Sequence, residues 1–236
     1  AATLAIGETT IVNAATEPEV VFPSTLLIAM GAKLKGLGTQ VITVQGVEKL
    51  HGCEISLPAD RIEAGTFAIA AVLTGGKITI ENAPINQLDS LLSKLRECGA
   101  DLKVTENNLQ IQRNNPLIPV NFQSLPYPGM PTDLQAPMAS LLTQASGVSI
   151  VQERVFENRM LYVNELRKMG ADIVITGTSA VISGPSKLSG AQVTALDVRA
   201  GAAVLLAACV ATGISTITEI EHLDRKYDNL QEKFCA

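Results

Sequence analysis

The chain has 236 residues and a formal net charge of −5, a length that suits one large or two modest domains. Hydrophobic residues make up 47% and charged residues 17%, which excludes a disordered chain and indicates a substantial core. No block of Lys and Arg is present, and every apolar run is shorter than the ~20 residues of a membrane-spanning helix, so we expect neither nucleic acid nor a membrane as a partner.

The cysteines indicate a compartment rather than a site. They are spread along the chain without a CxxC pair, at Cys53, Cys98, Cys209 and Cys235. Zinc sites use closely spaced cysteine and histidine ligands, so no metal site is expected. Scattered, unpaired cysteines are typical of a reducing environment, and the sequence therefore predicts a cytoplasmic protein.

A unit of about 70 residues repeats along the chain. Its first signature is a glycine followed by strand-forming residues, as in GETTIVNA and GISTITEI, and it begins at Gly7, Gly76, Gly147 and Gly213. Its second signature begins at Gly31, Gly99 and Gly170. Each glycine is placed to end a helix before a strand, and alternating runs such as ADIVITG and SAVISG mark two further strands. The sequence predicts an α/β (α+β) protein built from repeated βαβαββ units.

Both ends of the chain fall inside this repeat. The residues before Gly7 look like the last turn of a helix, and the spacing places another helix-ending glycine at the C-terminal end of the chain. We therefore expect this chain to be part of a longer protein, with its repeats truncated at both ends.

Five predicted helices begin at an acid or amide that can serve as an N-cap. In chain order these residues are Asp60, Asp133, Asn158, Asp197 and Asp224. Four of them have an arginine within two residues: Arg61, Arg159, Arg199 and Arg225. A cation is disfavoured at a helix N-terminus by ~0.3–1 kcal/mol, so the recurrence of arginine predicts an anion site at these helix starts. The alternative is that each arginine pairs with its neighbouring acid or points to solvent.

Asp133 differs from the other four because no arginine follows it. Pro137 fits only the first turn of a helix, so Asp133 lies at or just before the helix start. The side chain needs no role beyond capping. However, the proline-rich PYPGMP run before it would hold the carboxylate rigidly, as a base that accepts a proton from a substrate hydroxyl requires. Both roles remain open at this point.

Several segments together resemble the UDP-N-acetylglucosamine 1-carboxyvinyltransferase family of enolpyruvyl transferases. They are LPADRIEAGTFAIAA, PTDLQAP, VFENRMLYVNELRKMGADI, KLSGAQVTALDVRAGAAVLLA and HLDRKYDNL. The 3-phosphoshikimate 1-carboxyvinyltransferases share the fold, but the FENR and SGAQV segments are similar to the first family. The resemblance implies an inside-out α/β barrel of βαβαββ units and two domains with the active site in the cleft between them.

The resemblance also implies a domain division. Residues 1–58 would form the last unit of an incomplete first domain, and 59–236 a second domain without its terminal strands. The missing N-terminal half of the same protein, which in this family carries the catalytic cysteine loop, would be the partner of this chain. Such a truncated chain leaves a second reading open, in which it is a non-catalytic scaffold or interaction module.

The implied reaction transfers the enolpyruvyl group from phosphoenolpyruvate to the 3-hydroxyl of UDP-N-acetylglucosamine and releases phosphate. It is the first committed step of peptidoglycan precursor synthesis and uses no cofactor. By resemblance, Asp133 would contact the 3-hydroxyl and act as base, and the backbone of Val155 would contact the sugar nucleotide.

The remaining site residues also follow from the resemblance. Arg159 and Arg199 would lie near the carboxylate of phosphoenolpyruvate, and Arg225 would act catalytically near its phosphate. Asp197 would orient these arginines. Asp60 and Arg61 would either cap a helix or line the cleft. The chain departs from the family where DRKYD replaces the usual DRGYE, which leaves Arg225 in place but changes its neighbour.

Overall fold

The computed structural model describes residues 1–235 and divides into two compact units. Unit 1 comprises Ala1–Pro58 with Pro126–Gly129, and unit 2 comprises Ala59–Leu125 with the chain from Met130 onward. Their assignment to the first and second domains of the family stays a prediction. Within the described residues, no helix combines the length and the apolar composition needed to cross a membrane.

Unit 1 is a small antiparallel sheet with one helix. Its elements are strand β1 (Glu8–Val12), helix α1 (Pro18–Ala29), strand β2 (Lys33–Lys35) and strand β3 (Val41–Gln45). The sheet order is β1-β3-β2. The loop Pro126–Gly129 belongs here because the Thr16 hydroxyl donates to the Tyr127 carbonyl at 2.8 Å and the Tyr127 N–H donates to the Glu17 carboxylate at 3.3 Å. The proline-rich segment thus leaves unit 2 and returns to it directly before Asp133.

Unit 2 continues the repeat. Its elements are α2 (Arg61–Thr74), β4 (Lys77–Glu81), α3 (Asp89–Glu97), β5 (Asp101–Val104), β6 (Asn108–Gln112), β7 (Phe122–Ser124), α4 (Gln135–Leu142), β8 (Gly147–Glu153), α5 (Tyr162–Lys168), β9 (Asp172–Thr176), β10 (Ser179–Gly184), β11 (Gln192–Thr194), α6 (Val198–Ala208), β12 (Thr216–Thr218), α7 (Glu221–Asp224) and α8 (Leu230–Cys235). The run from β7 to β10 is one complete βαβαββ unit, which confirms the predicted repeat. The three sheets have the orders β4-β6-β5, β7-β8-β10-β9 and β11-β12.

Helices form the centre of unit 2, and the sheets lie outside them. Helix α4 packs against α2 and α6, and all of its residues are buried. A helix that is apolar all round belongs in a core, and Ala and Gly make up much of α2 and α6, which lets the helices approach closely. The strands bury alternate residues, as strand β8 does with Ser149, Val151 and Glu153. This confirms the inside-out α/β architecture.

Of the five predicted N-caps, two are confirmed and the other three are wrong, although Asp133 does lie just before a helix start as predicted. Asp60 caps α2 and Asp197 caps α6 through their side chains. Asn158 adopts a left-handed φ of 57° within a turn, so α5 begins only at Tyr162. Asp224 is the last residue of α7 rather than a cap.

The third correction concerns Asp133. It lies inside a 3-10 turn, Thr132–Leu134, that precedes α4, and its side chain makes no capping hydrogen bond. Leu134 occupies the N-cap position instead. Pro137 is in the first turn of α4, as predicted. The carboxylate of Asp133 is therefore available to other groups.

Gly65 of α2 allows a close contact with Leu134 in this 3-10 turn. A Cβ added at Gly65 would lie 2.6 Å from Leu134 Cδ1 and 3.0 Å from Leu91 Cδ2. Both leucines are fully buried, so moving either one would disturb the surrounding core packing. The absence of a side chain at Gly65 therefore lets α2 pack against the turn that carries Asp133.

Gly65→Ala should destabilise the protein even though alanine favours a helix over glycine by ~1 kcal/mol. The overpacked methyl should lower the free energy of unfolding by about 1–3 kcal/mol, measured by denaturant or thermal unfolding. Gly52→Ala is the matched control, because its added Cβ meets nothing within 4 Å. Equal stability of the two variants would contradict this packing.

Candidate functional site

The candidate site lies in unit 2, where the turn before α4, the loop before α5 and the start of α6 converge. These segments line a cavity of ≈ 180 Å³. Its walls include Thr132 from the first segment, Phe156 and Arg159 from the second, and Asp197 and Arg199 from the third. Asp133 adjoins this cavity through ion pairs with Arg159 and Arg199, so four of the predicted site residues meet from three distant parts of the sequence: Asp133, Arg159, Asp197 and Arg199.

One oxygen of the Asp133 carboxylate holds two arginines. Arg159 Nη1 donates to Asp133 Oδ1 at 2.7 Å, and Arg199 Nη1 donates to the same oxygen at 3.3 Å. Within residues 1–235, Oδ2 accepts no hydrogen bond. The carboxyl side chain is 44% exposed, so Oδ2 can meet a ligand. No arginine follows Asp133 in the sequence, but two arginines from distant segments contact its carboxylate in the structure.

Asp197 fixes Arg199 in this arrangement. Its Oδ1 caps α6 by accepting the N–H groups of Arg199 and Ala200, each at 2.8 Å, and its Oδ2 accepts Arg199 Nη2 at 2.8 Å. Burial alone would raise the pKa of the Asp197 carboxyl, but the hydrogen bonds from Ala200 and Arg199 bring it below its ordinary value. The pKa of Arg199 is raised, because Asp197 and Asp133 outweigh the opposing effect of burial. Arg199 is therefore a fixed cation between two carboxylates.

Arg159 approaches from the turn before α5. Its Nη1 also donates to the Thr132 hydroxyl at 3.2 Å, and its guanidinium carbon lies 4.1 Å from the centre of the Phe156 ring. A cation over an aromatic face is favoured by about 0.5–1 kcal/mol or more. A guanidinium has five N–H donors, and in the described part of the chain those of Nε and Nη2 make no hydrogen bond. Arg159 therefore makes its hydrogen bonds through Nη1, and its Nε and Nη2 N–H groups are available to bind an anion.

Val155 has a free carbonyl rather than a free N–H. Its N–H donates to Glu153 Oε1 at 2.7 Å. The carbonyl oxygen accepts no hydrogen bond from the residues that the structure describes. A backbone contact from Val155 to a ligand would therefore run through the carbonyl, as an acceptor.

Both carboxylate oxygens of Asp60 have partners within unit 2. Oδ1 accepts the N–H groups of Ile62 at 2.8 Å and Glu63 at 3.1 Å, and Oδ2 pairs with Lys226. Burial would raise the pKa of the Asp60 carboxyl, but the hydrogen bond from Lys226 and those from the backbone lower it. Of the two roles left open by the sequence, the geometry favours capping. Arg61 follows as the first residue of α2 and is only 5% exposed.

Arg225 stands apart from the cluster. It follows α7 and is exposed, and its side chain makes no hydrogen bond or ion pair with any described residue. The two residues that follow Arg225 hold this segment in place. Lys226 forms an ion pair with Asp60, and the Tyr227 hydroxyl lies 3.0 Å from the Thr66 hydroxyl. The departure from DRGYE therefore adds an ion pair to this segment.

Tyr227 is a buried phenol in this segment. Burial raises its pKa to about 12, and the carboxylates of Asp60, Glu63 and Asp133 add to the increase.

Sequence reasoning missed two residues of the site, Thr132 and Glu153. Glu153 is 2% exposed and accepts the Thr132 hydroxyl at 2.6 Å. A signal was present, because the alternation along GVSIVQE places Glu153 on the same inward face as Val151. As for metals, no group of His, Cys, Asp or Glu suited to hold one occurs among residues 1–235.

A family model described as EPSP synthase (3-phosphoshikimate 1-carboxyvinyltransferase) matches residues 1–234. The chain is 48% identical over 236 residues to UDP-N-acetylglucosamine 1-carboxyvinyltransferase 2 of Oceanobacillus iheyensis, covering 100% of the chain and 55% of that protein. It is 49% identical over 236 residues to UDP-N-acetylglucosamine 1-carboxyvinyltransferase of Halothermothrix orenii, covering 100% of the chain and 57% of that protein.

Solved structures show the same fold. The crystal structure of the enolpyruvyl transferase NikO from Streptomyces tendae has a TM-score of 0.86 at 28% identity, covering 99% of this chain and 56% of that one. EPSP synthase from Acinetobacter baumannii has a TM-score of 0.71 at 22% identity, covering 97% of this chain and 56% of that one, a likeness of fold alone.

These comparisons confirm the resemblance that the motifs indicated. The chain spans about half the length of the curated relatives it matches. The match of the family model over nearly every residue and the relatives of near 48% identity agree with the βαβαββ repeat and the helix-centred core. The chain belongs to the EPSP synthase (3-phosphoshikimate 1-carboxyvinyltransferase) family of enolpyruvyl transferases.

Proposed function

We propose that the protein containing this chain transfers the enolpyruvyl group of phosphoenolpyruvate to the 3-hydroxyl of UDP-N-acetylglucosamine and releases phosphate. The observation that carries the proposal is the Asp133 carboxylate, which has one oxygen held by two arginines and the other open. The names of the curated relatives supply the acceptor. The product would enter peptidoglycan precursor synthesis in the cytoplasm.

Asp133 is the base for the acceptor in this proposal. Oδ2 accepts the proton of the 3-hydroxyl as its oxygen bonds to C2 of phosphoenolpyruvate, and C3 takes up a proton. The resulting tetrahedral intermediate loses phosphate from C2 and a proton from C3, which leaves the enolpyruvyl ether. Fixing Oδ1 on two arginines orients Oδ2 before the substrate arrives.

The arginines bind the anionic donor. The free N–H groups of Arg159 suit a carboxylate bidentately, and the neighbouring Arg199 adds a second fixed cation. Arg225 has no competing partner in residues 1–235 and is assigned to the phosphate, as the resemblance implied. Asp197 orients Arg199 toward the donor, and the Val155 carbonyl accepts a hydrogen bond from the sugar nucleotide.

Other parts of the active site would come from elsewhere in the protein. We assign the proton donor to C3 to the half that the relatives have and this chain lacks, and that half is the expected partner. No group in this scheme requires a cofactor. Asp60 enters as an anchor for the segment that carries Arg225 rather than as a ligand.

The description of the family model favours one second candidate, in which the acceptor is 3-phosphoshikimate. Phosphate release from phosphoenolpyruvate with each acceptor in turn decides between them. If the polypeptide as the cell makes it releases phosphate with neither, the scaffold reading replaces both enzymatic ones.

Asp133→Ala should lower the rate of phosphate release by ~10²–10⁴, because it removes both the base and the group that holds two arginines. Asp133→Asn keeps the shape and one acceptor oxygen but is not basic, so it should also lose at least ~10². The assay follows phosphate from the complete polypeptide with saturating UDP-N-acetylglucosamine. A rate within a few fold of the parent in either variant would contradict the role assigned to Asp133.

Arg159→Lys should weaken binding of phosphoenolpyruvate although it keeps the positive charge. Lysine lacks the planar fork that spans Thr132, Asp133 and a ligand carboxylate. We expect the KM for phosphoenolpyruvate to rise by about 10-fold or more, equivalent to ~1.4 kcal/mol, measured by initial rates. The matched control is Arg96→Lys in α3, outside the cavity, which should leave KM unchanged. A KM equal in the two variants would contradict the assignment of Arg159.

A further inference from the structure

Glu153 is a buried acid that the proposed chemistry does not use. It ends strand β8 and is 2% exposed. Its Oε1 accepts the N–H groups of Val155 at 2.7 Å and Phe156 at 3.1 Å, and its Oε2 accepts the Thr132 hydroxyl at 2.6 Å. A buried carboxylate is tolerated when such bonds replace its lost hydration. One side chain therefore joins the loop after β8 to the turn before α4.

We propose that Glu153 is a positioning residue that fixes Asp133 and Arg159 relative to each other, a role that rests on the proposed function. It acts on each of them through one neighbour. Thr132 directly precedes Asp133 in the 3-10 turn. Phe156 is the aromatic face on which the Arg159 guanidinium lies, 4.1 Å away.

Glu153 also sets the direction of the hydrogen bonds in the site. A carboxylate oxygen accepts and does not donate, so the Thr132 hydroxyl must give its proton to Glu153. The lone pairs of Thr132 are then left for Arg159, whose Nη1 donates to Thr132 Oγ1 at 3.2 Å and to Asp133 Oδ1 at 2.7 Å. The chain of donors and acceptors thus runs without conflict from Arg159 to Glu153.

A second buried acid in the same unit shows what a purely structural carboxylate looks like. Glu165 in α5 is 5% exposed and accepts Lys168 Nζ and the Thr194 N–H, at 2.8 and 2.9 Å. Among the described residues, none of its hydrogen bonds reaches Asp133 or Arg159. Glu165→Gln therefore tests the loss of a buried charge without touching the site.

Glu153→Gln tests the role in the complete polypeptide. The amide oxygen still accepts the N–H groups of Val155 and Phe156, but the amide nitrogen now donates toward Thr132 and reverses that bond. We expect kcat/KM for phosphoenolpyruvate to fall about 10²-fold, as small misplacements of catalytic groups do. Glu165→Gln should lose a similar amount of thermal stability with kcat/KM kept. Equal kcat/KM losses in the two variants would overturn the proposal.

A double-mutant cycle asks whether Glu153 works through Thr132. Thr132→Val removes the shared hydroxyl, and Thr132→Ser keeps it and should therefore lose less kcat/KM than Thr132→Val. If the two residues act through one bond, Glu153→Gln with Thr132→Val should be no more than a few fold worse than the poorer single variant. Fully additive losses would show that Glu153 acts by another route and would contradict the proposal.

Amide hydrogen exchange gives a readout that does not depend on turnover. Glu153→Ala should speed exchange at Val155 and Phe156 by at least about tenfold, whereas Glu153→Gln and Glu165→Gln should not. Unchanged exchange in Glu153→Ala would overturn the anchoring role. If the parent releases no phosphate with either acceptor, the proposed function fails while the exchange result still decides the anchoring. If the parent is active and Glu153→Gln equals it, only the positioning role fails.

Discussion

The site depends on a single oxygen, Asp133 Oδ1, which accepts hydrogen bonds from both Arg159 and Arg199. Two guanidinium groups that converge on one point repel each other, and an ion pair at a partly exposed position is worth only about 0–1 kcal/mol. The arrangement therefore needs further support. Asp197 supplies it on one side through three hydrogen bonds, and the Phe156 ring with the Thr132 hydroxyl supplies it on the other.

The fold makes this convergence possible through its central helices. Small residues in α2 and α6 let these helices lie close to α4. The contact between Gly65 and Leu134 fixes the position of the 3-10 turn. Since Leu134 is fully buried, the preceding residue is carried to the surface at a fixed position. The same packing that builds the core thus determines where the Asp133 carboxylate points.

Much of the fold was predictable because each element of the repeat is indicated by residues close together in the sequence. Alternating strand residues and helix-ending glycines act locally, and the strands and the glycines Gly31, Gly99 and Gly170 were predicted correctly. Gly75 rather than Gly76 caps α2, and Gly147 begins strand β8 instead of ending a helix. Helix starts were less predictable, since Asn158 and Asp224 have the chemistry of caps but lie in a left-handed turn and at a helix end. The arginines illustrate the same limit. Only Arg61 and Arg199 lie in the first turn of a helix, yet Arg159 reaches the cluster from a loop.

Side-chain partners across the chain were beyond the reach of sequence patterns. The spacing of Asp133, Arg159 and Arg199 in sequence says nothing about one shared oxygen, and Glu153 carries no motif at all. The resemblance named most site residues because it carries three-dimensional information from relatives, although the role of each here stays a prediction.

Asp60 shows how a neighbouring substitution changes what such a resemblance can transfer. With a glycine at position 226, as in the usual DRGYE motif, no side chain would be present there to pair with Asp60. In this chain Lys226 occupies Oδ2 while the backbone of α2 occupies Oδ1, so both oxygens serve the fold. An acid that matches the family pattern is thereby committed to holding the segment of Arg225. The role of a matched residue follows from its partners in this structure as much as from its place in the motif.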